Sequence, residues 1–402
     1  MTETTTQHPL HNPNFRLLWF GSSISALGDQ FFLVALPWLI LQLTASGTAL
    51  GGIMMVGAVP RAVLMLVGGA VTDRSSPRRI LMATAVWRTL LVAAIAALIW
   101  LRLIGIWQLY MLSFCFGVAD AFAAPADQTF MPSLVTREQL PAANSVSQGT
   151  TRLATLLAPG PVGMLVTALG LAWAFFIDAV SFLFILGALW KLPDPPKADT
   201  PTERKKMAHA ILEGLKYVKR DVPLRSLMLV AAALTFCTVG PNSVGIAILA
   251  KRQFGSAAAF GLLMSSAAAG GLVGMLLAGV WKTRRRGLLL LGSSALIGIM
   301  IACIGLLQPF WALALLLFAM CAASGYLYVQ LMAWFQQRVE RAVLGRVMSV
   351  QMFAVVGLMP FSLAAAGIAV QWNLSGMFVG AGALMLLITA VASMIPEVRA
   401  IE

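Results

Sequence analysis

Seven charged residues lie inside long apolar stretches in the first half of the chain. They are Asp29, Arg61, Arg88, Asp120, Asp127, Arg152 and Asp178. A charged side chain in the middle of a bilayer is costly, so each must be paired, hydrated or functional. A carboxylate that exchanges a guanidinium partner for a proton is the chemistry that these residue types can perform. The apolar stretches of the second half carry essentially no charges, so this chemistry belongs to the first half.

Four of these charges are predicted to lie at one depth. Counting about 1.5 Å of rise per helical residue from the ends of the apolar stretches puts Asp29, Arg61, Asp120 and Arg152 near the middle of the bilayer. Acid and base can then meet as buried ion pairs, and we expect these four residues to take part in proton coupling. For each of them the alternative is a structural ion pair that never titrates.

The other three charges are expected to be structural. Asp127 lies seven residues after Asp120, nearer the cytoplasmic surface, and Asp178 lies in the outer third of its apolar stretch. We expect these two carboxylates to pair with Arg88 or to cap neighbouring helices.

Transmembrane helices must position these side chains. Hydrophobic residues make up 59% of the chain and charged residues 11%, against about a quarter charged in soluble domains. A helix needs about 20 apolar residues to cross a bilayer. Twelve stretches qualify: residues 15–43, 48–71, 80–101, 106–131, 141–167, 171–190, 224–249, 259–281, 287–306, 310–334, 342–370 and 374–395. The predicted fold is an all-α membrane protein with twelve transmembrane helices in two pseudo-symmetric halves of six.

Basic residues lie almost entirely on one side of this predicted bundle. The loops on the side of the two termini hold Arg74, Arg78, Arg79, Arg137, the basic residues of 191–225 and 282–286, Arg338, Arg341 and Arg346. The opposite loops hold Arg102, Lys251 and Arg252. The positive-inside rule then predicts cytoplasmic termini in a bacterial-type inner membrane. It also explains the net charge of +13 better than nucleic-acid binding does, because no basic patch is concentrated in a soluble domain.

A polar stretch at residues 191–223 divides the predicted helices six and six. We expect an N-terminal half at 1–190, a cytoplasmic linker at 191–223 and a C-terminal half at 224–402. Within the linker, apolar residues at helical spacing in 203–220 predict an amphipathic interfacial helix whose basic face suits anionic lipid headgroups. A solvated helix that only connects the two halves is an equally good interpretation.

Metal, redox and ATP-driven chemistry find no support in the sequence. The four cysteines lie in apolar stretches without metal-ligand spacing, the three histidines lie in the polar tail and linker, and no Walker A string occurs. We therefore expect no cofactor and no metal. A membrane-embedded transferase remains a distant alternative. Such an enzyme needs a histidine or paired-carboxylate cluster at a membrane face, and no histidine lies in the predicted spans.

A hydrophilic string at residues 69–79 recurs in degraded form at residues 279–287, at the equivalent place in a second set of apolar stretches. Internal duplication of this kind is typical of secondary transporters, in which two related halves rock around a central site. The repeat therefore predicts transport.

The first copy, Gly69-Ala-Val-Thr-Asp73-Arg74-Ser-Ser-Pro77-Arg78-Arg79, resembles the loop signature of the major facilitator superfamily. The usual glycine before the basic pair is missing here. Residues 27–29, 124–126, 134–140 and 177–182 resemble the branch that holds macrolide-efflux and enterobactin-exporter proteins. Residues 158–163 are similar to the antiporter motif of drug exporters, although the final glycine pair is incomplete.

This resemblance implies roles for several residues. It places Asp73 against the N-terminus of the eleventh span, where the helix dipole favours a carboxylate, so that the contact acts as a conformational latch. Gly69, Arg74, Arg78 and Arg79 complete the latch, although Arg78 and Arg79 serve equally well as topology-setting charges. Spans one and four line the central cavity in this superfamily, which makes Asp29 and Asp120 the better proton sites.

The second half supplies apolar, aromatic and amide side chains for substrate binding. The candidates are Phe236, Asn242, Tyr326, Gln330, Gln351 and Phe353. The alternative for each is packing between helices or contact with lipid. The amides are less ordinary inside a bundle, because each needs a hydrogen-bond partner.

The sequence predicts a multi-pass transporter, not an enzyme, that exports amphipathic drugs or metabolites by alternating access and proton-coupled antiport. A lysophospholipid or siderophore flippase of the same fold, without proton coupling, is the alternative. The expected partners are a small amphipathic substrate, protons and membrane lipids, with no nucleic acid, and the expected state is a monomer.

Overall fold

The computed structural model describes residues 8–72, 74–194, 215–280 and 285–401, and the regular elements of these ranges are helices. The helices of the first half are α1 (Pro13–Thr44), α2 (Gly47–Thr72), α3 (Pro77–Trp100), α4 (Ile106–Phe130), α5 (Leu140–Leu157), α6 (Pro159–Leu169) and α7 (Leu171–Lys191). Those of the second half are α8 (Val222–Gly240), α9 (Ile246–Phe254), α10 (Ala257–Val280), α11 (Arg286–Ile304), α12 (Phe310–Arg338), α13 (Arg341–Trp372), α14 (Leu374–Ser393) and the short α15 (Pro396–Arg399).

Eleven helical segments of the described ranges are each long and apolar enough to cross a membrane, and α5 with α6 forms a twelfth that bends by 45°. The predicted all-helical membrane fold is therefore confirmed. The bend falls where Pro159 follows Ala158, because proline lacks the N–H that would continue the helix. A π-helical turn at Pro241–Gly245 joins α8 to α9 within one span, a feature that the sequence analysis did not predict.

Local sequence signals set several helix ends. Asn12 caps α1 by accepting from the backbone N–H groups of Asn14 (3.0 Å) and Phe15 (3.4 Å). Ser76 caps α3, with Pro77 in the first helical position. These are the residue types that helix N-termini favour. Residues 195–214 of the predicted linker, which include most of its amphipathic helix, lie outside the described residues, while residues 215–220 are helical.

The contacts divide the chain into two compact units, and each mixes sequence from both halves. Unit 1 comprises Met1–Ala45, Val56–Asp199 and Ser256–Leu262. In it, α1 packs against α5 and α7, and α3 packs against α4 and α7. The start of α10 lies against α6 at backbone distance, because a Cβ added at Gly261 would stand 2.0 Å from the carbonyl oxygen of Pro159.

Unit 2 comprises Ser46–Met55, Thr200–Gly255 and Leu263–Glu402. In it, α8 packs against α13 and α14, and α11 packs against α12 and α14. The start of α2 belongs to this unit, where a Cβ added at Gly51 would stand 2.5 Å from the carbonyl oxygen of Leu363. The Nε2 group of Gln371 also donates to the Ser46 hydroxyl at 2.6 Å.

Candidate functional site

An ion pair between α3 and α4 lies at the centre of the candidate site in unit 1. The Arg88 Nη2 group donates to Asp120 Oδ1. Asp120 Oδ2 lies 3.8 Å from Nη1 of Arg61 on α2. The side chains of Arg88 and Asp120 are each 20% exposed, whereas that of Arg61 is 49% exposed. Asp120 is therefore held by two guanidinium groups, of which Arg88 is the more buried.

Aromatic rings fix the position of the Arg88 guanidinium. Its central carbon lies 5.3 Å from the ring centroid of Phe116 and 5.8 Å from that of Phe182. Phe32 stacks on Phe116 with a centroid separation of 4.5 Å. Aromatic faces attract cations, and the attraction grows where water is excluded. The rings of α1, α4 and α7 thus help to hold a charge inside an apolar bundle.

Two more carboxylates act on this ion pair. Asp29 on α1 is half-buried and interacts electrostatically with Arg88 and Asp120. Asp178 on α7 is fully buried, with 0% exposure, and interacts with Asp29 and Arg88. The Ser181 hydroxyl donates to the backbone carbonyl of Asp178 at 2.7 Å.

Close contact between α1 and α7 brings Asp29 near Asp178. A Cβ added at Gly28 would lie 1.9 Å from the Ser181 hydroxyl oxygen and 2.9 Å from Asp178 Oδ1. Only glycine fits at this position. Packing therefore requires glycine at position 28, beside Asp29.

We call Asp29, Arg61, Arg88, Asp120 and Asp178 the Arg88 cluster. Two guanidinium groups face three carboxylates, so full ionisation would leave one net negative charge in the bundle. Asp178 Oδ2 and Arg88 Nε are buried without a hydrogen-bond partner among the described residues. Buried unpaired polar atoms are costly. A proton bound to one carboxylate would neutralise the cluster and supply a missing donor.

The cluster contains three of the four residues predicted for proton coupling, namely Asp29, Arg61 and Asp120. It also contains Arg88 and Asp178, which were expected to be structural charges. The fourth, Arg152, is exposed on α5 and forms no ion pair with a described carboxylate. Arg88, and not Arg152, is therefore the second arginine of the cluster. Helical rise predicts the depth of a side chain but not the direction in which it points.

Among the described residues of the predicted latch, the structure brings Arg78 and Arg79 together at Asp194. Asp73 lies outside the described residues, so its role stays a prediction. Arg74 is exposed, and a side chain added at Gly69 would meet open space. Arg78 instead caps α7, because its Nε group donates to the carbonyl of Leu189 (2.7 Å) and its Nη2 group to that of Trp190 (2.8 Å).

Asp194 completes a small polar cluster at the same end of α7. Ser76 donates to Asp194 Oδ1 at 2.6 Å. The guanidinium nitrogens of Arg78 and Arg79 lie 3.7 and 3.9 Å from its carboxylate oxygens. The Ser76 hydrogen bond, followed by these two positive charges, lowers the pKa of Asp194. Arg78 and Arg79, the basic pair of the loop signature, therefore contact a carboxylate of unit 1, the unit to which both arginines belong.

The six predicted substrate-binding residues lie in unit 2, and no hydrogen bond or ring contact of the described residues joins them. Gln351 is buried and its Oε1 atom lacks a described partner. Gln330 donates to the carbonyl of Ala278 at 3.2 Å. Phe353 is 56% exposed. The remaining three are half-buried: Phe236, Asn242 and Tyr326.

A cavity of about 380 Å³ with polar and apolar walls lies between α1, α4 and α5, and it was not predicted from the sequence. Its polar lining includes Trp19, Ser23, Asp127, Asn144, Gln148 and Thr151. The signal was present in α5, where Asn144, Ser147, Gln148 and Thr151 recur at the spacing of one helix face. We call this cavity the Asp127 chamber.

The whole chain matches a known family of transporters. The sequence profile described as "Transmembrane secretion effector", within the major facilitator superfamily, matches residues 4–402. The chain belongs to this family. Its members and relatives are transporters and not enzymes, as predicted.

Curated relatives cover nearly the full length. The chain is 26% identical to the multidrug efflux pump Tap of Mycolicibacterium fortuitum, over 96% of each chain. It is 24% identical to macrolide efflux protein A of Streptococcus pyogenes, over 96% of this chain and 97% of that one. It is 28% identical to the enterobactin exporter EntS of Escherichia coli, over 84% of this chain and 80% of that one.

Solved structures share the fold. The nucleoside transporter NupG superposes with a TM-score of 0.75 at 10% identity, over 95% of this chain and 98% of that one. A bacterial homologue of the iron transporter ferroportin gives a TM-score of 0.66 at 16% identity, over 95% and 99% of the two chains. These likenesses show the shared fold, and the family match over residues 4–402 shows that the chain is a multi-pass membrane transporter.

Proposed function

We propose that this protein exports amphipathic drugs or metabolites by alternating access, in exchange for protons that bind at the Arg88 cluster. Export is supported by relatives named for the efflux of multiple drugs, macrolides and enterobactin. Proton coupling is supported by the charge count of the Arg88 cluster, in which three carboxylates outnumber two guanidinium groups.

In this mechanism a proton and a substrate exclude each other through the charge of the cluster. With a proton bound, the cluster is neutral and its helices can pack in an apolar environment. Loss of the proton leaves an uncompensated negative charge that favours an open, hydrated state of unit 1. Substrate binding to that hydrated state would promote release of the proton, which is the exchange that antiport requires.

We place the protein in the bacterial inner membrane as a monomer with both termini cytoplasmic. The support is the excess of basic residues in the loops of one predicted side. Small amphipathic substrates, protons and membrane lipids are the partners proposed.

Purified protein in proteoliposomes with an imposed pH gradient tests this function. The substrates are a panel of macrolides and fluorescent amphipathic dyes, and Asp120→Asn is the matched variant. We expect substrate movement that a protonophore abolishes in the wild type and that is lost in the variant. Movement of a lipid or siderophore that ignores the pH gradient would favour the flippase alternative and refute antiport.

A further inference from the structure

Arg102 occupies a backbone position that helix ends usually give to glycine. In the turn that ends α3, the N–H group of Arg102 donates to the Ile99 carbonyl at 3.0 Å. The N–H group of Leu103 donates to the Leu98 carbonyl at 2.9 Å. Arg102 has a φ of 57° in this turn, a left-handed conformation that costs free energy in a residue with a side chain. At the end of α9 the same conformation is adopted by Gly255, with a φ of 62°. The stability of the turn therefore does not explain an arginine here.

Membrane topology does not explain this arginine either. In the proposed orientation Arg102 lies in an outer loop, and the positive-inside rule places arginine and lysine mainly in cytoplasmic loops. The side chain of Arg102 is exposed, and no described carboxylate pairs with it. A free guanidinium that neither the backbone nor the topology favours indicates a ligand outside the chain.

Three aromatic side chains lie together at the same ends of α3 and α7. The ring centroid of Trp100 lies 5.8 Å from that of Trp173 and 5.7 Å from that of Phe176. The rings of Trp173 and Phe176 are 5.8 Å apart. All three side chains are exposed, as are the two leucines that flank Arg102. Indole rings favour the membrane–water interface, where headgroups meet acyl chains. We call Arg102, Trp100, Trp173 and Phe176 the Arg102 patch.

The chemistry of the Arg102 patch matches a phospholipid with a negative headgroup. A guanidinium binds phosphate through two parallel N–H groups. A headgroup with one net negative charge needs one cation, which Arg102 supplies. A zwitterionic headgroup carries its own cation beside the phosphate and gains less from the arginine. The exposed rings beside Arg102 offer apolar surface to the glycerol and the first acyl carbons.

We propose that the Arg102 patch binds an anionic phospholipid of the outer leaflet, with the guanidinium of Arg102 on its phosphate. The choice of leaflet rests on the orientation given under the proposed function, whereas the headgroup preference does not. The patch joins α3 to α7, the helices that carry Arg88 and Asp178 of the Arg88 cluster. A lipid that binds the folded protein in this place stabilises unit 1.

The test compares phosphatidylglycerol with phosphatidylcholine of identical acyl chains, because both carry one phosphate and they differ in net charge. Each lipid is added to the purified full-length protein in detergent. Native mass spectrometry measures binding, and thermal unfolding measures stability. We expect phosphatidylglycerol to bind at least about fivefold more tightly and to raise the melting temperature more. Equal affinities of the wild-type protein for the two lipids would overturn the proposal.

Charge variants localise the binding. Arg102→Gly should reduce the affinity for phosphatidylglycerol at least about fivefold and leave that for phosphatidylcholine unchanged. Because glycine suits the left-handed turn, this variant should melt without lipid at the same temperature as the wild type or above it. Arg252→Gln removes one charge from the end of α9 and is the matched control, which should keep the lipid preference. Unchanged binding in Arg102→Gly, or an equal loss in Arg252→Gln, would contradict the site.

The leaflet and the export function are tested separately. Arg102→Cys in intact cells should react with a membrane-impermeant maleimide, with the wild type as the background control. Reaction only after lysis would overturn the assignment to the outer leaflet. If Arg102→Gly keeps its lipid binding while proteoliposomes show proton-driven export, the patch fails and the proposed function stands. Selective lipid binding without any export would refute the proposed function and support the patch.

Discussion

Arg88 on α3 donates to Asp120 on α4, and this pair is also the meeting point of the charges from α1, α2 and α7. The pair joins two helices that each cross the membrane. Arg88 pairs with Asp120 and also acts electrostatically on Asp29, Asp127 and Asp178, whereas Arg61 lies near Asp120, so the two arginines are not equivalent.

Arg88→Gln should therefore destabilise the protein more than Asp120→Asn, and Arg61→Gln should have the smallest effect. Removing Arg88 leaves buried carboxylates without their main counter-charge, which costs about 3–5 kcal/mol for a broken buried pair. Arg61 is half-exposed and its contact is worth about 1 kcal/mol or less. Thermal unfolding in detergent gives the order, and an Arg61→Gln variant as unstable as Arg88→Gln would contradict this assignment.

Asp29→Asn should abolish proton-driven transport and spare substrate binding. The amide fills the same space but cannot exchange a proton with the cluster. Transport is measured in proteoliposomes and binding in nanodiscs, with the surface variant Glu138→Gln as the control. Retained gradient-driven transport by Asp29→Asn would remove this residue from the mechanism.

Gly28→Ala should destabilise unit 1 by about 1–3 kcal/mol, the usual effect of overpacking. The added methyl group would overlap the Ser181 side chain, whereas a methyl group at Gly187 on α7 meets nothing within 4 Å. Gly187→Ala is therefore the matched control and should be neutral or slightly stabilising. Melting temperatures in detergent distinguish the two, and equal values would show that α1 and α7 are less closely packed.

The Ser76–Asp194 contact should contribute stability that depends on pH. The pKa of Asp194 is lowered in the folded state, so its contribution is complete above the unfolded value of about 3.9 and is lost as pH falls through the folded value. Asp194→Asn should thus lower the melting temperature by a constant amount above about pH 5, and the difference should shrink in stronger acid. A difference in melting temperature between the wild type and Asp194→Asn that grows as pH falls would contradict this prediction.

The depth of the charged side chains in the membrane could be predicted from the sequence, but the direction in which each side chain points could not. Hydropathy is a local property, so the twelve spans and the intramembrane charges were found directly. The partner of Asp120 depends on how α3 rotates about its axis, which helical rise does not specify. For this reason Arg88, and not Arg152, meets Asp120 in the structure.

The sequence contained a signal for the Asp127 chamber that did not enter the prediction. The polar face of α5, with Ser147 and Gln148 near its centre, lies in a stretch interpreted only as a transmembrane span. The bend at Pro159 lies within residues 158–163, which resemble the antiporter motif of drug exporters. The π-helical turn at Pro241–Gly245 was not predicted from the sequence.

Proton release on substrate binding tests the central claim most directly. A substrate identified in proteoliposomes is added to purified protein in weakly buffered detergent solution near neutral pH, and the pH change is recorded with an indicator dye. The Arg88 cluster predicts release of roughly one proton per bound substrate in the wild type, and none in Asp29→Asn or Asp120→Asn. Substrate binding by the wild type without proton release would contradict the account.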